Sequence, residues 1–219
     1  MNIRVYEDAL ALEDSAYTPE LCWQVGKTEA MLDALEEILP ELPENFLTKT
    51  METMGGTLQI LLLAGVQGPE AELGGQFWAG KDAHILLMPG EELPEAFFHG
   101  LFHTMETRLL SKSIDLYRWD ELNPKGFEYG IEEGGEYLDD DATRAFTDSF
   151  AMTASREDQA RIFEFACREG NEHFFRSATM QKKLRAVCVG IREAWGLKKA
   201  ETEFLWEQYL ESSLAYTKK

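Results

Sequence analysis

His99 and His103 stand four residues apart in the run FFHGLFH. On a helix that spacing projects both imidazoles from one face, close enough to share a cation. The pattern H-x-x-x-H is a metal-ligand geometry, and a zinc site built on it needs a third protein ligand and leaves a fourth position for water. Glu157, in the first turn of a later helix, is the best candidate for the third ligand. A blander reading stays open beside this one. Two histidines on an apolar helix also serve as core side chains with satisfied hydrogen bonds, and a carboxylate in a helix's first turn complements the helix dipole. His84 and His173 have no partners at ligand spacing and read as structural residues.

The elements that must position these residues follow from periodicity and punctuation. Lys27 to Leu39 has apolar residues at helical spacing and is stopped by Pro40 and Pro43. Thr57 to Gly65 is a short apolar run between glycines, and Gln76 to Ala79 with Ala83 to Met88 form two strands joined by the turn Gly80-Lys81-Asp82. Helices follow from Pro94. The first runs through Phe97, Leu101, Met105 and Leu109 to about Ser111 and carries both histidines. After an irregular insert between Asp115 and Asp141 come helices over Ser155 to Arg168, Glu172 to Trp195 and Ala200 to Ser212. The pattern Ser155-x-x-Asp158 reads as a capping box at the start of the first of these. The expected fold class is α+β, with a small antiparallel or mixed sheet within an N-terminal α/β part, residues 1–92. A mainly helical part, residues 93–219, completes a single domain and holds the histidine pair.

A resemblance extends this reading from Phe97 to about Glu164. Three ordered blocks, FFHGLFHTMETRLL, YRWDELNPKGFEYG from Tyr117 and FAMTASREDQARIFE from Phe150, resemble the bacterial zinc-binding metallopeptidases, which are similar to gluzincins. That family carries HExxHxxD, then W-x-x-LNP-x-GF-x-Y, then Y-A-x-T-x-x-x-ED-x-A. The resemblance implies a zincin-like fold, zinc as cofactor, and His99, His103 and Glu157 as its ligands. It also implies that Glu106, where such families often place Asp, orients an imidazole from behind.

Two departures bear on activity. The Glu of HExxH, which takes a proton from metal-bound water, is replaced by Gly100. The Tyr seven residues before the third ligand, an oxyanion donor in related enzymes, is replaced by Phe150. A general base contributes about 10² to 10⁴ in rate and an oxyanion donor about 10² to 10³, so the two losses remove most of the expected hydrolysis. Gly100 in a helix interior costs about 1 kcal/mol relative to Ala. Close packing of another backbone against the helix and relaxed selection after loss of catalysis are equally open explanations. Glu106, Asp158 and Tyr129 are the residues that would stand in for the missing groups, with structural duties as the alternative for each.

The function expected is therefore a zinc-metallopeptidase-like protein with degenerate or weak peptidase activity. The alternatives are an active zinc peptidase with a displaced base, and a non-catalytic module that binds a peptide or protein along the edge of the early sheet. Composition narrows the partners. The 219 residues carry 21 Lys and Arg against 40 Asp and Glu, a formal charge of -19. That charge disfavours nucleic acid and anionic membranes. Residues 1–150 hold 9 basic and 30 acidic side chains, net -21, while 151–219 hold 12 and 10, net +2. The uneven field predicts a preference for cationic peptide segments.

The acidic stretch Glu132 to Asp141 reads as a solvated loop, since it lacks the ligand order of a calcium loop. The opening MNIRVYEDAL has no signal-peptide pattern and no run spans a membrane, so a cytoplasmic protein is expected. Cys22, Cys167 and Cys188, odd in number and without C-x-x-C spacing, read as reduced buried thiols.

Overall fold

The computed structural model describes residues 18–21, 25–52, 55–67, 75–90, 92–130, 140–198 and 204–210. It shows an α+β chain that divides into two compact units, Met1–Leu101 and Phe102–Lys219. The division falls inside a helix rather than in a linker.

The first unit contains strand β1 (Thr18–Leu21), helices α1 (Val25–Ile38) and α2 (Phe46–Glu52), and strands β2 (Leu58–Gln67), β3 (Gly75–Ala79) and β4 (Asp82–Leu87). The strands form one sheet in the order β1-β2-β4-β3. β1 lies antiparallel to β2, β2 parallel to β4, and β3 antiparallel to β4. The expected antiparallel alternative is thus corrected, because the central pair is parallel and the sheet is mixed. The parallel pair follows from the chain's path. β3 returns against β4 through the tight turn at Gly80, whose φ of 62° suits glycine, and β4 is thereby delivered to the side of β2. Asp82 fastens that junction by accepting from the Thr57 amide at 2.7 Å and the Thr57 hydroxyl at 2.8 Å. These bonds hold the Asp82 carboxyl below its ordinary range. β4 has neighbours on both sides, and Ala83, Ile85, Leu86 and Leu87 along it are all fully buried. A continuous apolar strand is what that central position requires.

Helix α3 (Leu93–Leu110) begins in the first unit and ends in the second. Phe97, Phe98, Leu101, Phe102, Met105 and Leu109 along it are all buried. At about 1.5–3 kcal/mol for each large apolar side chain removed from water, this burial far outweighs the propensity cost of Gly100.

The second unit continues with α4 (Ile114–Tyr117), α5 (Ser155–Ala166) and α6 (Ala178–Trp195). Short 3₁₀ turns lie at Trp119–Leu122, Phe150–Met152, Glu172–Phe175 and Leu205–Glu207. Aromatic rings fill its interior, with Phe102 5.7 Å from Phe163 and Phe163 5.6 Å from Trp206 between ring centres.

Three helix expectations need correction. The N-cap of α5 is Ala154, in an extended conformation and without a side-chain cap, so Ser155-x-x-Asp158 is no capping box. Asp158 is drawn elsewhere, as described below. The helix expected over Glu172 to Trp195 is interrupted, because Ser177 is extended and caps α6 by accepting from the Met180 amide at 3.0 Å. Of the helix expected over Ala200 to Ser212, the described residues 204–210 hold the 3₁₀ turn Leu205–Glu207 and no α-helix. The acidic stretch Glu132 to Asp141 falls outside the described residues up to Asp139, as does Cys22. Cys167 and Cys188 are buried thiols outside any disulfide, and burial raises the Cys167 thiol well above its ordinary value. No described helix is long and apolar enough to cross a membrane.

Candidate metal centre

Helix α3 presents His99 and His103 one turn apart, and the first turn of α5 brings Glu157 to them. One ligand atom from each of the three residues lies within 4.8 Å of the others. A tetrahedral shell with bonds of 2.0–2.1 Å has ligand atoms about 3.3 Å apart, so modest side-chain movement closes the site around an ion. The contact between His103 Nε2 and Glu157 Oε2 is already 3.1 Å. Two imidazoles and a carboxylate form a donor set suited to zinc, and three ligands leave a position open. The residues therefore fit the metal that the sequence motif implies.

The surroundings hold the ligands in place. Glu106 Oε2 lies 3.4 Å from His103 Nδ1. With a metal on Nε2, an acceptor there would hold the Nδ1 proton; without one, the Arg156 donor beside Nδ1 and the Glu157 oxygen beside Nε2 suit the opposite tautomer. Arg156 adds a positive charge. Its Nε lies 3.2 Å from Glu157 Oε1 and its Nη2 3.8 Å from Glu106 Oε2 and 3.3 Å from His103 Nδ1. The guanidinium thus bridges the two carboxylates of the centre.

Gly100 has a local cause in the first unit. A Cβ at that position would lie 2.9 Å from Cγ2 of Ile85, a fully buried residue at the centre of β4. Ile85 is β-branched and stiff, so it has little freedom to withdraw. Of the two explanations left open by the sequence, close packing has a structural basis, but against a side chain and not the backbone expected. The neighbour is a side chain of the sheet. The position where the motif has its Glu is pointed at β4. Phe150 lies in a 3₁₀ turn with the Arg161 guanidinium 5.8 Å from its ring centre.

Asp158 and Tyr129, two of the residues the sequence offered as a stand-in base and hydroxyl, meet each other. Asp158 Oδ2 accepts from Trp119 Nε1 at 2.8 Å, from the Tyr129 hydroxyl at 2.8 Å and from Lys183 Nζ at 2.6 Å. The Tyr129 hydroxyl in turn accepts from Asn123 Nδ2 at 2.9 Å. Asp158 and Lys183 are both 0% exposed. Burial pushes the Asp158 carboxyl up and the Lys183 ammonium down, while their attraction opposes both shifts. Burial and the neighbouring Asp158 charge also push the Tyr129 phenol up, which keeps it a donor. Lys183 Nζ also donates to the Ala145 carbonyl at 2.7 Å and lies 3.9 Å from the centre of the Phe146 ring.

Lys183 and Arg156 were not singled out by sequence reasoning. Lys183 had left a trace: it falls on the same helical face as Met180, Leu184 and Val187, an apolar stripe in which a lone lysine demands a buried acid. Arg156 had none, being one more charge in a polar first turn. His84 on β4 and His173, whose ring lies 4.0 Å from that of Phe174, stand outside the metal group.

Comparison of the chain with known protein families, with curated proteins and with solved structures finds no match.

Proposed function

We propose that this chain is a zinc-binding, metallopeptidase-like protein whose peptidase activity is weak or lost. The observation that carries the reading is the convergence of His99, His103 and Glu157, separated by up to 58 residues in sequence, on a space a single ion would fill. The motif blocks support the family assignment, and with it a zincin-like fold. Zinc in such a site polarises a bound carbonyl and lowers the pKa of bound water.

The chain's own residues account for the rest. His103 offers Nε2 with Glu106 behind it, and Glu157 offers Oε2 while Arg156 occupies Oε1. With Oε2 near both His103 and Arg156, Glu106 is assigned an orienting part rather than that of a displaced base. Gly100 supplies no proton acceptor and Phe150 no hydroxyl. The proposed ligand is a peptide or protein segment, and the net charge of -19 favours a cationic one.

Metal analysis after dialysis against trace zinc tests the reading directly. One zinc per chain, lost in His103→Ala, is expected. Absence of stoichiometric zinc in the wild type overturns it. A chelator-sensitive peptide cleavage at the rate of an ordinary zinc peptidase would overturn the proposed loss of activity.

A further inference from the structure

Two residues of the segment YRWDELNPKGFEYG, Trp119 and Tyr129, bring their side chains to one atom that no metal ligand owns, and Asn123 backs the second of them. Trp119 and Tyr129 donate to Asp158 Oδ2, and Asn123 donates to Tyr129. Lys183 reaches the same oxygen from α6. The segment's far end is tied to the turn preceding α5, where the Gly130 amide donates to the Met152 carbonyl at 3.0 Å. Asp158 follows Glu157 directly in the first turn of α5, and this turn has no capping side chain to fix it.

We infer that Asp158, held by Trp119, Tyr129 and Lys183, is a positioning residue that sets the place of the Glu157 carboxylate at the metal centre. This rests on the metal reading above. The physical reason is one of lever arms. A first turn without a side-chain cap leaves its leading amides without intrahelical partners, so its placement leans on tertiary contacts. Three donors converging on one buried oxygen supply such contacts one residue away from the ligand. A ligand carboxylate placed even slightly wrong lengthens its bond to the ion, and supporting contacts of this kind typically change metal affinity by 10 to 100-fold.

The test compares two variants with a control. Tyr129→Phe and Asp158→Asn alter the brace without touching a ligand. Glu207→Gln weakens a different buried pair, Arg192 with Glu207, in the same unit. Zinc affinity is measured by competition with a chromophoric chelator at a temperature where all proteins are folded. The ¹⁵N resonances of the His103 ring are recorded on the zinc-free proteins.

Tyr129→Phe should weaken zinc binding about tenfold and shift the His103 ring signals, since Glu157 faces that ring. Glu207→Gln should lower the melting temperature with zinc affinity and ring signals unchanged. The inference is overturned if Tyr129→Phe binds zinc as the wild type does, or if Glu207→Gln weakens binding equally. Should Asp158→Asn not fold, Tyr129→Phe decides alone. A wild type that takes up no zinc overturns the metal reading, and the brace is then judged by the ring signals: unchanged signals in Tyr129→Phe overturn it, shifted ones support it.

Discussion

Position 100 of α3 faces Ile85 of β4 so closely that a single added carbon would come within 2.9 Å of Ile85 Cγ2. Replacing a helix-interior glycine by alanine ordinarily gains about 1 kcal/mol, whereas overpacking a filled core costs about 1–3 kcal/mol. Overpacking should win, because Ile85 is stiff and enclosed.

Gly100→Ala is therefore expected to lower stability in the wild-type background and to raise it in Ile85→Ala, itself destabilised by about 2–5 kcal/mol. Denaturant melts of the four proteins of this cycle read the sign in each background. A Gly100→Ala variant more stable than the wild type would show that the contact imposes no constraint. The same cycle gives the conditions for restoring the motif: Gly100→Glu should be tolerated with Ile85→Ala and poorly without it.

Zinc should stabilise the folded chain by mass action, by about 2.7 kcal/mol at 100 times its dissociation constant. Binding needs unprotonated imidazoles, so uptake releases protons and weakens toward acid pH. Thermal melts with zinc and with chelator, on the wild type, His99→Ala and Glu157→Gln, check this. An equal zinc shift in all three proteins would place the ion elsewhere.

Lys183→Met leaves the Asp158 carboxylate buried without its cation. Breaking a buried pair from one side costs about 3–5 kcal/mol, much more than loss of an exposed ion pair such as Arg118 with Glu121. Adding Asp158→Asn to Lys183→Met should recover part of the loss, since an amide carries no charge to bury. Urea unfolding of the single and double variants measures both. A double variant less stable than Lys183→Met would argue that the carboxylate is wanted for a reason other than its charge balance.

His84 is expected to make the first unit acid-sensitive. Burial holds its imidazole below the ordinary value of about 6.5, with Asp82 opposing the shift. The unfolded chain then binds a proton at a pH where the folded chain does not. This contribution to stability is complete above about pH 6.5 and is lost as the pH falls from there toward the folded-state value. In chelator, the rise of melting temperature between pH 5 and 7 should be shallower for His84→Gln than for the wild type. Identical slopes would remove His84 from the account.

Much of the first unit could be read locally. The hairpin β3–β4 announces itself by a glycine turn between apolar runs, and α1 by its stripe of Met31, Leu35 and Ile38. What escaped was β1, a four-residue strand whose pairing with β2 lies more than 40 residues away in sequence. The parallel partnership of β2 and β4 escaped in the same way, because a strand's own residues do not encode its neighbour's direction. The interruption at Ser177 was missed because the apolar residues Phe174 and Phe175 continue the pattern that α6 resumes, while a serine's preference for a cap is weak evidence until its backbone is seen.

The sequence by itself determined the residue types at the centre and the shared face of His99 and His103, since a spacing of four on a helix leaves no other arrangement. It also determined that positions 100 and 150 carry neither a carboxylate nor a hydroxyl, because glycine and phenylalanine lack the atoms. The sequence nominated Glu157 as the third ligand, but tertiary structure alone decided that its carboxylate comes to 3.1 Å from His103, that its neighbour Asp158 is sent inward to Lys183, and that Gly100 is filled by Ile85. The reason is the range of the forces involved. Periodicity records which side of an element is apolar, a property of neighbours in the chain. Which charged atom meets which depends on how elements 25 or 54 residues apart pack together, and no local pattern carries that information.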